Sequence, residues 1–470
     1  MTINVLPDEV LLLIFHFDRV IYYEDGNLRL DPSWQWHRLV HVCQKWRSVV
    51  FGSPNFLDLT LVCHPTTPME LTGIWPPFLI IITDVLDRYI SEDYDFDAAI
   101  AYHNRLCEIN LIQLERVQLQ RLASAMMQVQ FPALIHLSLE FDSRAYLGPA
   151  LPDEFLSGSV PCLQSLQLHS IKFPGLPKLL LSVTHLVSLA LFNIPNAGYF
   201  SPEAIVTGLA VLANLKFLII DFGFEFEYLL YRFDPEPRSL PLPTRTVLPA
   251  LTHFEFQGTG QYLDDLVARI DAPLLDFISI TFIHGLIFDT PQLTRFMRRT
   301  TRIQALNETH VHFYYDPDFS RCGVQVEPFP PTRTFDRKSR LKVIYKESDG
   351  LLSSLAQICT SFIPPISIVE HLYIYGLPEW RDNAEELQWL DIFHPFKAAK
   401  NLYVTQRFAR FIALALQDLV GERVTYVLPA LESIFLEGFY PLGPIGLSIR
   451  PFFVARQLIG HPVTVSRWER

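Results

Sequence analysis

A six-residue pattern, Leu-x-x-Leu-x-Leu, recurs along the chain and restricts its fold more than any other feature. Its clearest copies are Leu106, Ile109 and Leu111; Leu134, Leu137 and Leu139; Leu163, Leu166 and Leu168; Leu186, Leu189 and Leu191; and Leu215, Leu218 and Ile220. Five later copies also use aromatic and β-branched residues: Leu251, Phe254 and Phe256; Leu275, Ile278 and Ile280; Val369, Leu372 and Ile374; Ala399, Leu402 and Val404; and Leu431, Ile434 and Leu436. Two weaker copies are centred on Val311 with Phe313 and on Leu341 with Val343. Because the copies follow one another about every 30 residues, the sequence predicts an array of similar units.

Each unit is predicted to contain a strand and a helix. The last two apolar positions of a copy alternate with period two, as in a strand with one buried face. Helical spacing follows Pro177, Pro202 and Pro291, and continues from Phe408 to Leu419. Such a unit buries its apolar face only against its neighbours. The sequence therefore predicts an α/β leucine-rich-repeat solenoid, with parallel strands on the concave side and helices on the convex side.

Two amphipathic helices are predicted before the array. Leu6-Pro7-Asp8-Glu9 is typical of a helix start, because proline suits the first turn and acids favour the positive end of the helix dipole. Val10, Leu11, Ile14 and Phe15 then form one predicted apolar stripe, and Trp36, Leu39, Cys43, Trp46 and Val50 form that of a second helix, which ends at Gly52. The pattern alone allows two roles for these helices, a cap on the array or a site for a partner.

The N-terminal segment resembles an F-box. The resemblance is carried by Leu6-Pro7-x-Glu9-Val10-Leu11-x-x-Ile14-Phe15, followed by Leu39-Val40-x-Val42-Cys43-x-x-Trp46-Arg47. It implies a helical domain over residues 1–55 that docks on a Skp-type adaptor and through it on a cullin, with the solenoid over residues 56–470. The adaptor-binding residues that it implies are Leu6, Pro7, Val10, Leu11, Ile14, Phe15, Leu39, Val42 and Cys43. The link from Asp18 to His37 is longer than usual in this family, which leaves the register of the middle helix open.

The array resembles the degenerate leucine-rich repeats of F-box proteins that are abundant in fungi. Regular repeats carry an asparagine three residues after the last strand leucine, where its side chain joins neighbouring turns. Here those positions hold Asp142, Ile171, Ile194, Gly223 and Thr259, so no asparagine ladder is expected.

Composition excludes several classes of function. The 38 Lys and Arg residues against 50 Asp and Glu give a net charge of −12, the wrong sign for an obligate nucleic-acid binder. The apolar runs are shorter than the roughly 18 residues that a membrane-spanning helix requires. No secretory signal is visible, and the six cysteines form no Cys-x-x-Cys pair. A cytoplasmic and/or nuclear protein is therefore expected.

No constellation of catalytic residues is present. The sequence lacks a phosphate-binding loop, a Gly-x-Ser-x-Gly elbow and a His-Glu-x-x-His metal motif. His310 and His312 alternate on a predicted strand, with only Glu308 as a further ligand, so solvent-facing side chains are favoured over a metal site. We therefore expect a protein that is not an enzyme, with no metal and no cofactor.

Two groups of basic residues suggest a substrate-binding surface. Arg295, Arg298, Arg299 and Arg302 fall on a predicted helix, and Arg333, Arg337, Lys338 and Arg340 follow in a later insertion. Brought together, they could receive a phosphorylated protein through charge-assisted hydrogen bonds. The alternative is a solvated convex face. Three segments that interrupt the array, 64–77, 232–249 and 316–342, are further candidates for binding loops.

These features predict a substrate-receptor subunit of an SCF-type cullin-RING ubiquitin ligase, which recruits a target protein through its leucine-rich repeats. The alternative is an interaction scaffold that works outside any ligase. The sequence does not identify the target, because side-chain geometry on the concave face decides specificity.

Overall fold

The computed structural model describes residues 6–17, 21–24, 27–30, 36–54, 56–57, 59–63, 78–83, 100–142, 150–195, 198–223, 245–282, 290–300, 308–316, 321–329, 341–345, 369–376, 388–417, 419 and 421–468. The chain forms two compact units, Met1–Phe200 and Ser201–Arg470. Among the described segments, no helix has both the length and the apolar character needed to cross a bilayer.

The first unit begins with helices and continues as a parallel sheet. Its elements are α1 (Asp8–Phe17), β1 (Ile21–Glu24), β2 (Asn27–Leu30), α2 (His37–Val40), α3 (Gln44–Gly52), β3 (Thr60–Cys63), β4 (Leu79–Thr83), β5 (Leu106–Leu114), α4 (Arg116–Met126), β6 (His136–Phe141), β7 (Ser165–His169), α5 (Leu176–Leu180) and β8 (Ser188–Ile194). Strands β3 to β8 lie side by side in chain order and all pair in parallel. β1 and β2 form a separate antiparallel hairpin within the long link between α1 and α2.

The repeated leucines form the core of this sheet, as predicted. In β6, for example, Leu137 and Leu139 are buried, while Ser138 between them is only half-buried. Leu166 and Leu168 of β7 lie opposite those leucines in the parallel register. Because side chains alternate with period two, the leucines at each buried position form a row that crosses the sheet. Stacking of neighbouring units therefore buries the apolar side chains that a single unit would leave exposed.

The described strands of the second unit fall into three groups. Its elements are α6 (Pro202–Leu209), β9 (Phe217–Phe222), β10 (Thr246–Val247), β11 (His253–Gly258), α7 (Gly260–Ala268), β12 (Ile270–Asp271), β13 (Phe277–Phe282), α8 (Pro291–Arg299), β14 (Glu308–Asp316), β15 (Arg321–Phe329), β16 (Leu341–Tyr345), β17 (His371–Gly376), α9 (Gln388–Phe393), β18 (Asn401–Val404), α10 (Gln406–Gln417), a 3-10 helix (Gly421–Thr425), β19 (Ser433–Glu437), α11 (Pro444–Leu458) and β20 (Thr464–Trp468). β9, β11 and β13 are adjacent and parallel, and β10 pairs with β12. The other sheet has the order β16-β15-β14-β17-β18-β19-β20.

The order of this second sheet corrects one prediction. The weak repeat around Leu341 forms β16, but β16 pairs antiparallel with β15, and β15 pairs antiparallel with β14. β15 also lies inside the segment that the sequence predicts as an insertion. The connection between β14 and β15 is too short for the crossover of a dozen or more residues that a parallel pair needs, so the chain turns back on itself. On the other side of β14 the strands β17, β18, β19 and β20 follow in order, and each pairs in parallel with its neighbour.

Polar side chains join neighbouring turns where the asparagine ladder is absent. The carboxylate of Asp264 in α7 accepts hydrogen bonds from the backbone N–H groups of Gln292 and Leu293 at 2.8 and 2.9 Å, and so caps α8. Asn193 donates to Ser170 Oγ at 2.7 Å. The fully buried Arg456 of α11 donates to several carbonyl oxygens near β19, at 2.8 Å to that of Leu431. Each contact satisfies backbone or hydroxyl groups that apolar packing alone would leave unpaired.

In the first unit, we expect buried cysteines to be less reactive than exposed ones. Burial raises the pKa of Cys63 to about 11 against the opposing charge of Arg105, and burial together with Glu108 raises the pKa of Cys107 to about 12. The thiolate is the nucleophile, so at pH 8 no more than about a thousandth of either group is reactive. Cys162 is exposed. We expect iodoacetamide at pH 8 to label Cys162 in the native chain and to label Cys63 and Cys107 only after unfolding.

Peptide mapping by mass spectrometry would measure labelling at each position. The urea-unfolded chain is the control, because all three thiols are then solvated. Labelling of native Cys107 as fast as Cys162 would contradict the burial that the structure assigns to it.

Candidate protein-docking site on the N-terminal helices

The three N-terminal helices share one apolar core with the residues that lead into the first two strands of the sheet. The buried members of this core are Leu11, Phe15, Trp36, Val40, Val49, Val50, Leu57, Leu59 and Phe78. The Phe15 ring packs on Trp46, with centroids 4.8 Å apart, which joins α1 to α3. Because Leu57, Leu59 and Phe78 lie beyond the predicted boundary at residue 55, the helices also cover the start of the array.

Two polar contacts fix the helices in this arrangement. Trp36 donates its indole N–H to the carbonyl oxygen of Thr60 in β3 at 2.7 Å, and its ring meets Phe78 edge-on at a centroid distance of 5.2 Å. Lys45 Nζ donates to the carbonyl oxygen of Leu6 at 2.6 Å and lies 3.4 Å from the Asp8 carboxylate. The start of α1 is therefore attached to α3, and the segment before α2 is attached to β3.

The second predicted helix is divided into α2 and α3. Cys43 interrupts it with an extended backbone, φ −160° and ψ 170°, and its Sγ accepts from the backbone N–H of Trp46 at 3.5 Å. By accepting this hydrogen bond, the sulfur acts as the N-cap of a new helix. The extended backbone of an N-cap residue does not fit inside a continuous helix, so the helix is divided at Cys43. Cys43 therefore has a structural role within the domain, and its side chain is only half-buried.

One face of α1 exposes a row of large apolar side chains. Val10, Leu13, Ile14 and Phe17 are 38%, 50%, 42% and 82% exposed. Their spacing of three, one and three residues places them on one side of the helix, next to the buried side that carries Leu11 and Phe15. We call Val10, Leu13, Ile14 and Phe17 the α1 stripe. The domain core is complete without it, so the α1 stripe is available to a partner.

The structure divides the residues that the F-box resemblance assigns to the adaptor. Pro7, Val10, Ile14 and Val42 are exposed, and Leu6, Leu39 and Cys43 are half-buried. Leu11 and Phe15 are 0% and 1% exposed, so their assignment to the contact surface does not fit the structure. The reason is that positions 10 and 14 differ from 11 and 15 by about 100° around the helix, which separates two apolar faces that the sequence pattern merges into one.

Sequence reasoning missed Leu13 and Phe17. Both lie in the apolar run and share the helical period of Val10, so the signal was present in the spacing i, i+3, i+4 and i+7. Phe56, which is 47% exposed, packs on the His16 ring at a centroid distance of 5.4 Å. It extends the exposed apolar surface near the end of α1.

Of the predicted basic cluster, only Arg295, Arg298 and Arg299 lie within the described residues, so the cluster stays a prediction. Arg299 of α8 forms an ion pair with Asp271, and Arg295 donates to Gln292 at 3.3 Å. Arg298 is exposed on the same helix. Arg302, Arg333, Arg337, Lys338 and Arg340 lie outside the described residues, as do residues 64–77. Among the residues that are described, no group of His, Cys, Asp and Glu side chains is arranged to hold a metal ion.

Comparison with known proteins agrees with the N-terminal geometry. Residues 3–54 match the family model described as F-box-like, and no curated protein sequence matches the chain. The leucine-rich repeat-containing protein LegL7 from Legionella pneumophila is a similar solved structure, with 13% identity, coverage of 84% of this chain and 97% of that chain, and a TM-score of 0.26. The strand order and the parallel register of the chain itself carry the repeat architecture. The chain therefore carries an F-box-like domain, which is a protein-interaction domain, followed by leucine-rich repeats.

Proposed function

We propose that the α1 stripe docks this chain on a Skp-type adaptor. The observation that carries the proposal is the exposure of the α1 stripe in a domain that matches the F-box-like model and completes its core without these residues. Apolar side chains clustered at one site are the usual anchors of a protein interface. Val42, which is 56% exposed between α2 and α3, is a further contact residue.

Through the adaptor, the chain joins a cullin and acts as the substrate receptor of an SCF-type ubiquitin ligase. It contributes no catalytic group, and it accelerates ubiquitin transfer by holding a target protein close to the transfer machinery. Its repeats bind the target, and its site of action is the cytoplasm and/or the nucleus. The contacts of Trp36 with β3 support this division of labour, because they join the docking domain directly to the first repeat strands.

A scaffold that binds the adaptor outside any ligase is the alternative function. Both functions use the α1 stripe, and they differ in whether a cullin is recruited and whether a bound protein is degraded.

Reconstitution distinguishes these functions. The full chain is co-expressed with a Skp-type adaptor, the complex is mixed with a cullin–RING pair, and the species are separated by size-exclusion chromatography. A ligase subunit is expected to elute with adaptor and cullin together, and proximity labelling in cells should recover proteins that accumulate when the proteasome is inhibited. Elution with the adaptor but never with the cullin favours the scaffold, and failure to bind the adaptor refutes the proposal.

A further inference from the structure

The last helix of the second unit exposes a row of apolar side chains. Leu447, Val454 and Leu458 of α11 are exposed, and so is Pro451 between them. Their spacing of four, three and four residues places all four on one side of the helix. Ile449, on the opposite side, is buried in the core of the unit. We call Leu447, Pro451, Val454 and Leu458 the α11 stripe.

The α11 stripe lies at the end of the described array. α10 contacts both α9 and α11, whereas α11 contacts α10 and the 3-10 helix. The order of the described strands also ends at β20, which follows α11 in the chain. Each repeat buries its apolar face against its neighbours, and a terminal repeat needs a polar outer face to stay soluble. Because the outer side of α11 is apolar, it offers a further helix the kind of surface that α10 offers α11.

The exposed side of α4, in the first unit, is mostly polar by comparison. Its exposed residues at helical spacing are Val117, Gln120, Arg121 and Ser124, of which only the first is apolar. A helix of the repeats therefore folds without an apolar outer side. A contiguous row of exposed apolar residues on one helix indicates an interaction site.

The two helices at this end of the array carry only positive charge. Neither α10 nor α11 contains Asp or Glu, and residues 438–468 contain none either. Arg450 is exposed, and it borders the α11 stripe because it lies three residues after Leu447 and four before Val454. Arg410 of α10 is exposed as well. The chain as a whole has a net charge of −12, so this basic surface is a local feature.

The described carboxylates that precede α11 in the chain already have partners. Glu437, at the end of β19, accepts a hydrogen bond from the backbone N–H of Gln406 at 3.1 Å. Glu432 interacts with Lys400, whose pKa is raised by its hydrogen bond to Glu370 and further by the charge of Glu432. Charge beside the α11 stripe is therefore complementary to an acidic partner.

The spacing of the α11 stripe favours a helix as that partner. Apolar residues at alternating intervals of four and three form the seam along which two helices pack. A lipid surface is a poorer match, because a membrane-bound helix keeps its polar side in water, and the other side of α11 is buried in the protein. A second copy of the chain is also a poorer match, since it would bring another arginine-bearing helix without carboxylates to the same seam.

We infer that the α11 stripe binds an amphipathic helix of another protein, with Asp or Glu residues of that helix beside Arg450. The apolar seam supplies the contact area, and Arg450 at its rim selects an acidic helix over a basic one. The inference goes beyond the proposed function, because the α11 stripe belongs to the second unit and adaptor docking uses the α1 stripe.

The test uses the full chain and a fluorescein-labelled peptide of about 21 residues, with leucine at the a and d positions of each heptad, glutamate at e and g, and alanine elsewhere. A second peptide has lysine in place of glutamate. A third has the composition of the first, with its leucines moved away from the a and d positions. Fluorescence anisotropy is expected to show binding of the first peptide only, and that binding should weaken at high salt.

Two substitutions test the contact residues. Val454→Glu places a carboxylate in the middle of the α11 stripe and should raise the Kd of the glutamate peptide at least about tenfold. Arg450→Glu reverses the charge beside the stripe, so it should raise this Kd about fivefold and allow the lysine peptide to bind. Both side chains are exposed, so each variant should keep the thermal melting profile of the unaltered chain.

Val117→Glu and Arg121→Glu are the matched controls, because they make the same two changes at exposed positions of α4. Both should leave the Kd of the glutamate peptide unchanged. Equal binding of the glutamate and lysine peptides, no binding up to about 1 mM, or full affinity of Val454→Glu would overturn the inference.

Two further measurements distinguish the other occupants. Sedimentation equilibrium that shows a dimer, lost in Val454→Glu, would assign the α11 stripe to a second copy of the chain. Binding to vesicles of anionic lipid that is lost in the same variant would assign it to a membrane. Either result would also overturn the inference. None of these measurements includes the adaptor, so failure here is distinguishable from failure of the proposed function.

Discussion

Replacing Leu13 by glutamate is expected to lower the affinity of the full chain for a Skp-type adaptor at least about a hundredfold. Leu13 lies in the middle of the α1 stripe, between Val10 and Phe17 on the exposed side of the helix. A glutamate there would have to bury a carboxylate without a partner inside an apolar interface. Because Leu13 is 50% exposed in the free domain, the fold should remain intact. Isothermal titration calorimetry with the purified adaptor would measure the loss.

Leu181→Glu is the matched control. Leu181 directly follows α5 in the repeats as its C-cap and is 49% exposed, so it tests the same chemical change at the same exposure on another surface. Its adaptor affinity should equal that of the unaltered chain. Equal losses in both variants would indicate a general effect of the added charge, and full affinity of the Leu13 variant would remove the α1 stripe from the interface.

Replacing Trp36 by alanine is expected to destabilise the N-terminal domain by about 3 to 5 kcal/mol. Trp36 is 6% exposed, and it packs on Phe78 and Phe51 while it donates to the carbonyl oxygen of Thr60. Alanine removes the ring from all of these contacts and leaves a cavity between the helices and the strands. Native-state hydrogen exchange should show the loss as faster exchange of the amides in α1 and α3. Those in β18 and β19 should not change, because the described core around Trp36 is built from α1, α2, α3 and the residues that lead into β3 and β4.

Trp36→Phe separates the loss of ring packing from the loss of the hydrogen bond to Thr60. Phenylalanine keeps most of the ring packing and removes the indole N–H, so about 1 kcal/mol should be lost. If α1 kept its protection in Trp36→Ala, the helices would be stable without their attachment to the sheet. The direct connection between docking domain and repeats would then not stabilise the domain.

The repeats were predictable because their signal is local and repeated. In each copy the buried residues are separated by fixed intervals, and β6, β7 and β8 begin within two residues of the second apolar position of their copies, Leu137, Leu166 and Leu189. The start of α1 was predictable for a similar reason, since Pro7 and Asp8 act on the first turn through backbone geometry and charge. β20 was not predicted, since Thr464–Trp468 has no leucine pattern and becomes a strand by pairing with β19.

The candidate site was predicted only in part. The residue range and the kind of site came from the resemblance to an F-box, because the helical pattern alone also allowed a cap on the array. Which residues face a partner depended on the angle at which α1 lies on its neighbours, because that angle directs Leu11 and Phe15 inward and Leu13 and Phe17 outward. The stacked rings of Tyr373, Tyr403 and Phe435 had no sequence signal of their own, since these residues are far apart in the chain and meet only through strand register.

The sequence by itself determined the unit that is repeated, the boundaries of most strands and the presence of an N-terminal helical domain, because apolar period, proline and charge act within a few residues. The tertiary structure alone decided the antiparallel turn of β14 to β16, the break between α2 and α3, and the separation of the buried and exposed faces of α1. These features depend on contacts between residues distant in sequence. Their physical cause is the burial of apolar surface, because the apolar side chains of one segment leave water only when another segment covers them.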